Sequence, residues 1–314
     1  MKSVKIKAYA KVNLTLDIVG LQEGYHMLDS LVASVDLYDL IVLRQRKDTL
    51  SFVTMKGMGS ESIPPESNNA WKAAEAFSKA FGTNGADITV YKSIPMGAGL
   101  GGSSADVSGV LNGMAKLYGV EDYEKLKSLA DELGSDTGYM LTGGFARMQG
   151  RGELVTPLTI SKKLYFLFLC PSSSVSSGAC YKAYDKGLEK KGFSEPSTEK
   201  CIEYLERGDL NGVGRYLTND LYLPSTELNK EVQAAYEEAL QFSPLGAVMT
   251  GSGSCVIALF ETRELCEWAK SRYRGKFQAF VGATVIPDYR NAKKKTGWRN
   301  PFVLSEEECL DAEK

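Results

Sequence analysis

The chain has 314 residues, of which 43% are hydrophobic and 24% charged, and its formal net charge is −2. This composition excludes a disordered or fibrous protein and allows two ordinary domains, each with its own core. It provides no general excess of positive charge for a broad nucleic-acid-binding face. No run approaches the ~20 apolar residues of a membrane span, and Met1 to Lys11 alternates charged and apolar residues instead of forming an apolar leader. A cytoplasmic protein is therefore expected, with no membrane or nucleic-acid partner.

In chain order, Val4 to Ile18 alternates as one or two strands, and Leu31 to Leu43 reads as a further pair broken near Asp36 and Asp39. Asn69 to Phe81 has helical spacing, with Trp71, Ala74 and Phe77 on one face, and Ile88 to Tyr91 is a short strand. From Ser103 the period becomes 3.6, through Val107, Val110, Leu111, Met114 and Leu117, with Gly119 as a stop. A helix over 122–133, a strand and turn within 143–152 and an apolar strand over 164–170 follow. The second half alternates helices near 198–207, 229–241 and 264–273 with strands near 246–250, 255–260 and 278–285, which predicts an α+β layer. The boundaries expected are 1–160, 161–287 and a polar tail over 288–314. The tail holds the only basic run, Lys293 to Lys295, expected to be a solvated turn.

Six cysteines, Cys170, Cys180, Cys201, Cys255, Cys266 and Cys309, are scattered without a C-x-x-C pair, and His26 is the only histidine. Neither a structural zinc site nor a disulfide framework is expected, and the thiols read as buried and idle.

The chemistry concentrates in Pro95, Met96, Gly97, Ala98, Gly99, Leu100, Gly101, Gly102, Ser103 and Ser104. Gly97, Gly99 and Gly102 satisfy G-x-G-x-x-G, but Pro95 interrupts the approach and no second strand ending in an acid follows, so a dinucleotide fold does not fit. The P-loop requires a lysine where Ser103 stands. What remains is a flexible turn whose backbone N–H groups approach an anion at the start of a helix, where the dipole also favours negative charge. The competing structural reading is a tight turn capped by Ser103 or Ser104.

The block from Pro95 to Ser104 resembles the second motif of the GHMP kinases, and Thr250 to Cys255 resembles the third. Within that superfamily, Ala10 to Leu14, Gly24-Tyr25-His26, Val35 to Leu37 and Gly134-Ser135-Asp136 are similar to the 4-diphosphocytidyl-2-C-methyl-D-erythritol kinase family, over Val4 to Pro287. The resemblance implies a two-domain fold, ribosomal-protein-S5-like then ferredoxin-like, and ATP-dependent phosphorylation of the 2-hydroxyl of a CDP-linked methylerythritol in isoprenoid precursor synthesis.

By the same resemblance, Asp136 would be the base and Lys11 its partner, with Asn13 orienting Lys11 or touching the acceptor. Tyr25, His26 and Tyr181 would hold the cytosine, and Ser177, Gly251, Ser252 and Gly253 would lie beside the acceptor. Asn69, Trp71, Lys92 and Met96 fall where adenine and ribose would bind, Trp71 reading equally well as core. Mg2+ is expected because the loop has no lysine to neutralise the phosphates, and Ser104 is its candidate ligand.

The sequence departs from the family pattern in three places, the mildest being the conservative change to Glu23 before Gly24-Tyr25-His26. G-L-G-G-G-S-S-D becomes Gly99 to Asp106 with one glycine fewer before the serines, and Thr137-Gly138-Tyr139 replaces a V-P-F-like segment, implying a less rigid stretch after Asp136. A GHMP kinase acting on another small alcohol, and a nucleotide-binding homologue without turnover, stay open as alternatives.

Overall fold

The computed structural model describes residues 2–57, 68–193 and 195–285. The expected polar tail, with Lys293 to Lys295 and Cys309, lies outside the described residues. The chain opens with three long strands, β1 (Ser3–Asn13), β2 (Thr15–Gln22) and β3 (Tyr25–Gln45), followed by β4 (Phe52–Lys56). Helix α1 (Asn69–Phe81) and strand β5 (Ala86–Tyr91) lead to the glycine turn and then α2 (Gly102–Tyr118). Next come α3 (Tyr123–Leu133), the short α4 (Thr137–Met140), β6 (Phe145–Gly150) and β7 (Leu154–Leu158).

The second half begins with β8 (Tyr165–Cys170), α5 (Ser177–Lys191), α6 (Thr198–Glu206), α7 (Leu210–Tyr216) and the two-residue β9 (Thr218–Asn219). It ends with α8 (Tyr222–Leu228), α9 (Lys230–Leu240), β10 (Gly246–Met249), β11 (Val256–Phe260), α10 (Arg263–Arg272) and β12 (Gln278–Ala283).

Strand β3 organises the first sheet, pairing antiparallel with β1, β2, β5 and β6. Alternate residues of β1, Val4, Ile6, Ala8 and Ala10, are buried, and α2 packs on this strand and on β3. A strand with one face on a helix layer and the other toward solvent shows this alternation. The expected break near Asp36 and Asp39 does not occur. Asp36 accepts from the Ala283 backbone N–H at 2.7 Å, and Asp39, fully buried, accepts from the N–H groups of Ser93 (2.6 Å) and Ile94 (2.9 Å). Partners supplied by other elements let the strand continue through both acids.

The second sheet has the order β10-β11-β8-β12 and is antiparallel throughout, with α9 and α10 packed on it. The two halves are tied by β9, which pairs parallel with β2 at Thr15↔Thr218 and Leu16↔Asn219, and by an isolated bridge between Val35 and Thr284. This is the two-layer α+β arrangement expected.

One expectation about the thiols is corrected. The register Val256↔Leu169 carries Cys255 up to Cys170, and the two pair as a disulfide across 85 residues. Sequence spacing could not reveal a strand register. Cys180, Cys201 and Cys266 are free and buried.

Candidate active site

The glycine turn enters α2 through Gly101, in the left-handed region at φ 70°, and no side chain caps the helix. Ser103 and Ser104 are therefore not N-caps. They lie inside the first turn, where the N–H groups of the helix start remain available to an anion. Gly99 also needs its freedom, since φ is +76° and a Cβ there would overlap the Thr250 carbonyl oxygen. The loop thus packs directly on the second glycine motif. Counted to Asp106, Gly99 to Asp106 has the same eight positions as G-L-G-G-G-S-S-D, with Ser103 where the third glycine would stand. The loop is therefore of full length.

Two cavities meet at this turn. One, about 390 Å³, is walled by residues 94–104 with Met55, Asn68, Asn69, Ala70, Lys92 and Asp106. The other, about 570 Å³, is walled by Lys11, Asn13, Tyr25, His26, Asp136, Tyr181, Gly251 and Ser252 among others. Ser104 and Ser177 belong to both walls. In the larger cavity the Lys11 ammonium lies 3.2 Å from an Asp136 carboxylate oxygen and donates to Asn13 Oδ1 at 2.7 Å. Asn13 is buried and fully engaged: its Nδ2 donates to Ser30 Oγ (2.8 Å), its Oδ1 also accepts from Gly251 N–H (3.1 Å), and its own N–H donates to Thr250 Oγ1 (3.0 Å).

Asp136 begins α4, and the absent proline does not leave this segment loose. All four residues of α4 are buried, and the Tyr139 hydroxyl donates to the Gly144 carbonyl at 2.6 Å. Packing does here what a fixed φ would do.

At the other end of the larger cavity, His26 lies 4.7 Å, centre to centre, from the Tyr181 ring, and its Nε2 is 2.7 Å from Asp185 Oδ1. Burial first, then the charge of Asp136, pushes the Tyr181 hydroxyl up to about 12, so it stays protonated. Tyr25 is half exposed, with the Arg151 guanidinium 3.7 Å from its ring centre.

Family models for the GHMP kinases N terminal domain and GHMP kinases C terminal match residues 68–146 and 201–277. The 4-diphosphocytidyl-2-C-methyl-D-erythritol kinase of Clostridium beijerinckii is 35% identical over 282 residues, spanning 87% of this chain and 98% of that protein. The enzyme of the same name from Carboxydothermus hydrogenoformans is 37% identical over 260 residues, 82% of this chain and 88% of its own. A crystal structure of 4-(cytidine 5'-diphospho)-2C-methyl-D-erythritol kinase, 30% identical, superposes with a TM-score of 0.74 over 89% of this chain and 98% of its own. This chain belongs to the 4-diphosphocytidyl-2-C-methyl-D-erythritol kinase family. Homoserine kinase from Cytophaga hutchinsonii, 19% identical with a TM-score of 0.71 over 91% of this chain and 95% of its own, shares the GHMP kinase fold.

As a GHMP kinase the chain brings the residues singled out in its sequence to the two cavities, with two exceptions, Trp71 and Gly253. Lys92 lies on the smaller wall, but its ammonium is paired with both Asp39 and Asp106, so it underpins the loop instead of presenting a free cation. Burial alone would lower this ammonium, yet the carboxylates of Asp106 and Asp39 outweigh it and hold it above its ordinary value. Burial also pushes the Asp106 carboxyl up to about 8, Lys92 opposing. Trp71 is not among the wall residues; its indole N–H donates to the Ser51 carbonyl at 3.2 Å. Gly253 is also off both walls, and its N–H closes the turn onto the Thr250 carbonyl. Conversely, sequence reasoning missed Arg151, Asp185 and Ser30. The only local hint was the Gly150-Arg151-Gly152 turn.

Proposed function

We propose that this chain transfers the γ-phosphoryl group of ATP to the 2-hydroxyl of 4-diphosphocytidyl-2-C-methyl-D-erythritol. The observation that carries the reading is the Lys11–Asp136 pair, 3.2 Å apart, on the wall of a cavity that shares Ser104 and Ser177 with the glycine-loop cavity. The N–H groups at the start of α2 hold the ATP phosphates. Asp136 accepts the proton of the acceptor hydroxyl as that oxygen bonds to the γ-phosphorus and the bond to the β-phosphate oxygen breaks, releasing ADP. Lys11, held by Asn13, pairs with Asp136 and offsets charge on the phosphoryl group.

Asn69 and Met96 serve the adenosine side, while Tyr25, His26 and Tyr181 hold the cytosine. Mg2+, met by the Ser104 hydroxyl, would neutralise the ATP phosphates. The larger cavity suits an acceptor with an aromatic base, because three aromatic or heteroaromatic rings line it. The proposal keeps the cytoplasmic location and the domain division at 160/161. That division is supported by the second sheet starting at Tyr165, although β9 returns to the first.

The test supplies Mg-ATP with the CDP-linked acceptor, or with mevalonate, homoserine or sugars. Wild type is expected to phosphorylate only the CDP-linked acceptor, and Asp136→Asn to lose turnover while still binding ATP. Transfer to another acceptor with no competition by CDP would refute the reading.

A further inference from the structure

The disulfide between Cys170 and Cys255 lies behind the glycine turn, and the transfer chemistry makes no use of it. The ladder of β11 on β8 starts at Val256↔Leu169, so the two cysteines stand one step beyond its end. There the Cys255 N–H donates to the Ala98 carbonyl of the glycine turn (3.2 Å), and the Cys255 carbonyl accepts from the Thr250 N–H (3.0 Å). Beyond the last rung the two strands are tied by the disulfide and by the Ser254 hydroxyl, which donates to the Pro171 carbonyl at 3.4 Å.

Both segments that leave this cross-link touch the glycine turn. Upstream of Cys255, Gly251 lies against Gly99, where a Cβ on Gly251 would fall 2.9 Å from the Gly99 carbonyl oxygen. Downstream of Cys170, Ser174 lies against Gly97, where a Cβ would fall 2.6 Å from the Ser174 Cβ. The two segments meet again at Ser177 and Ser252, whose hydroxyl oxygens are 2.8 Å apart. With the disulfide they form a closed clamp behind residues 97–99, and cleaving the Sγ–Sγ bond leaves that clamp joined by single hydrogen bonds. Both cysteines are buried, 3% and 0% exposed, so a reductant reaches the sulfurs only when the 250–255 turn lifts from the glycine turn. In the cytoplasmic location proposed above, a disulfide is transient and serves catalysis or sensing. Neither cysteine lines either cavity, which leaves sensing.

We propose that Cys170 and Cys255 form a redox switch that sets ATP affinity: the disulfide pre-organises the glycine turn, and its reduction loosens it. Two electrons and two protons from a dithiol cleave the Sγ–Sγ bond, giving two cysteine thiols and the reductant's own disulfide; a disulfide oxidant reverses the step. Binding and reduction are linked, so a protein that binds ATP tenfold more tightly when oxidised is about 30 mV harder to reduce with ATP bound. The inference rests on the ATP site proposed above.

ATP binding to the full chain is measured by calorimetry after oxidation with diamide and after reduction with dithiothreitol. Peptide mass spectrometry reads the state of Cys170 and Cys255, and circular dichroism reads the fold. Reduction is expected to weaken ATP binding roughly 5–20-fold, and saturating ATP to slow reduction by at least about fivefold. Cys170→Ser, Cys255→Ser and the double variant should each match reduced wild type and ignore dithiothreitol, because all three remove the same bond. Equal ATP affinity in the two redox states would overturn the inference, as would single variants whose losses differ and add in the double. Unfolding on reduction, or a disulfide that dithiothreitol leaves intact in the native protein, would make the bond a structural staple and overturn it too. Wild type that binds ATP in neither state would instead overturn the proposed ATP site, and this inference with it.

Discussion

Replacing Lys92 with methionine should expose how much of the phosphate loop hangs on one buried cation. Lys92 joins Asp39 of β3 to Asp106 of α2, with side chains only 4%, 0% and 7% exposed. After the substitution Asp39 keeps the Ser93 and Ile94 bonds to one oxygen but loses Lys92 from the other, and Asp106 loses its partner at 2.6 Å while its other oxygen has no hydrogen bond. Removing one member of a buried ion pair costs about 3–5 kcal/mol. The Asp106 carboxyl, which burial already raises above its ordinary value, can shed its charge by taking a proton, which holds the loss near the lower end of that range. At a urea dependence of about 3 kcal/mol per M, a loss of ~3 kcal/mol moves the unfolding midpoint down by about 1 M. The assay is urea unfolding followed by circular dichroism, with ATP binding measured in parallel. The double variant Lys92→Met/Asp106→Leu should recover part of the loss, since one of the two acids left without a cation is gone and the other, Asp39, keeps its bonds from Ser93 and Ile94. A single variant within about 0.5 kcal/mol of wild type, or a double variant no better than the single, would refute the reasoning.

Gly99→Ala should weaken ATP binding and cost at least ~1 kcal/mol of stability, because φ is +76° and the new Cβ meets the Thr250 carbonyl; titration with ATP and thermal unfolding check it. Burial raises the Asp17 carboxyl above 3.8, outweighing its hydrogen bonds from Thr198 and Ser197 and adding to repulsion by Asp220. A raised carboxyl means the native state binds more protons, so its contribution is full below about pH 3.8 and is lost as pH rises. Asp17→Asn should therefore gain stability relative to wild type between pH 4 and pH 7, read from paired urea titrations. Burial pushes the thiols of Cys201 and Cys266 up to about 12 and that of Cys180 to about 11. At pH 8 these thiols should resist alkylation in the native protein and react at once on unfolding, as mass spectrometry would show.

Local pattern carried the first half of the fold well and the second half partly. Helices α1 and α2 were legible because an apolar stripe meets a recognisable stop, Gly82 or Gly119, in the left-handed region. Strand β3 was expected to break at Asp36 and Asp39 because a buried acid reads as a turn when its partners lie more than 50 residues away. Helix α5 drew no expectation, although Cys180 and Tyr184 fall on its buried side, because Gly178, Gly187 and its many charges mask the period. The site divides in the same way. Lys11 and Asp136 follow from motif resemblance and do meet, whereas Arg151 joins the cavity only through folding and Asp185 reaches it only by its bond to His26.

The two glycine motifs, separate in sequence, form one structure. Gly99 lies against Thr250 and Gly251, and Thr250 Oγ1 donates to the Gly99 carbonyl at 3.3 Å. The same hydroxyl accepts from Asn13, whose side chain holds the Lys11 ammonium and the Gly251 N–H. The glycine loop and the Lys11 ammonium, to which the proposed function gives the ATP phosphates and the acceptor hydroxyl, are thus fixed through buried Thr250 and Asn13. A displacement of the second motif would shift both reacting ends together. Coupling of this kind keeps donor and acceptor at a constant separation, which a phosphoryl transfer relying on positioning requires.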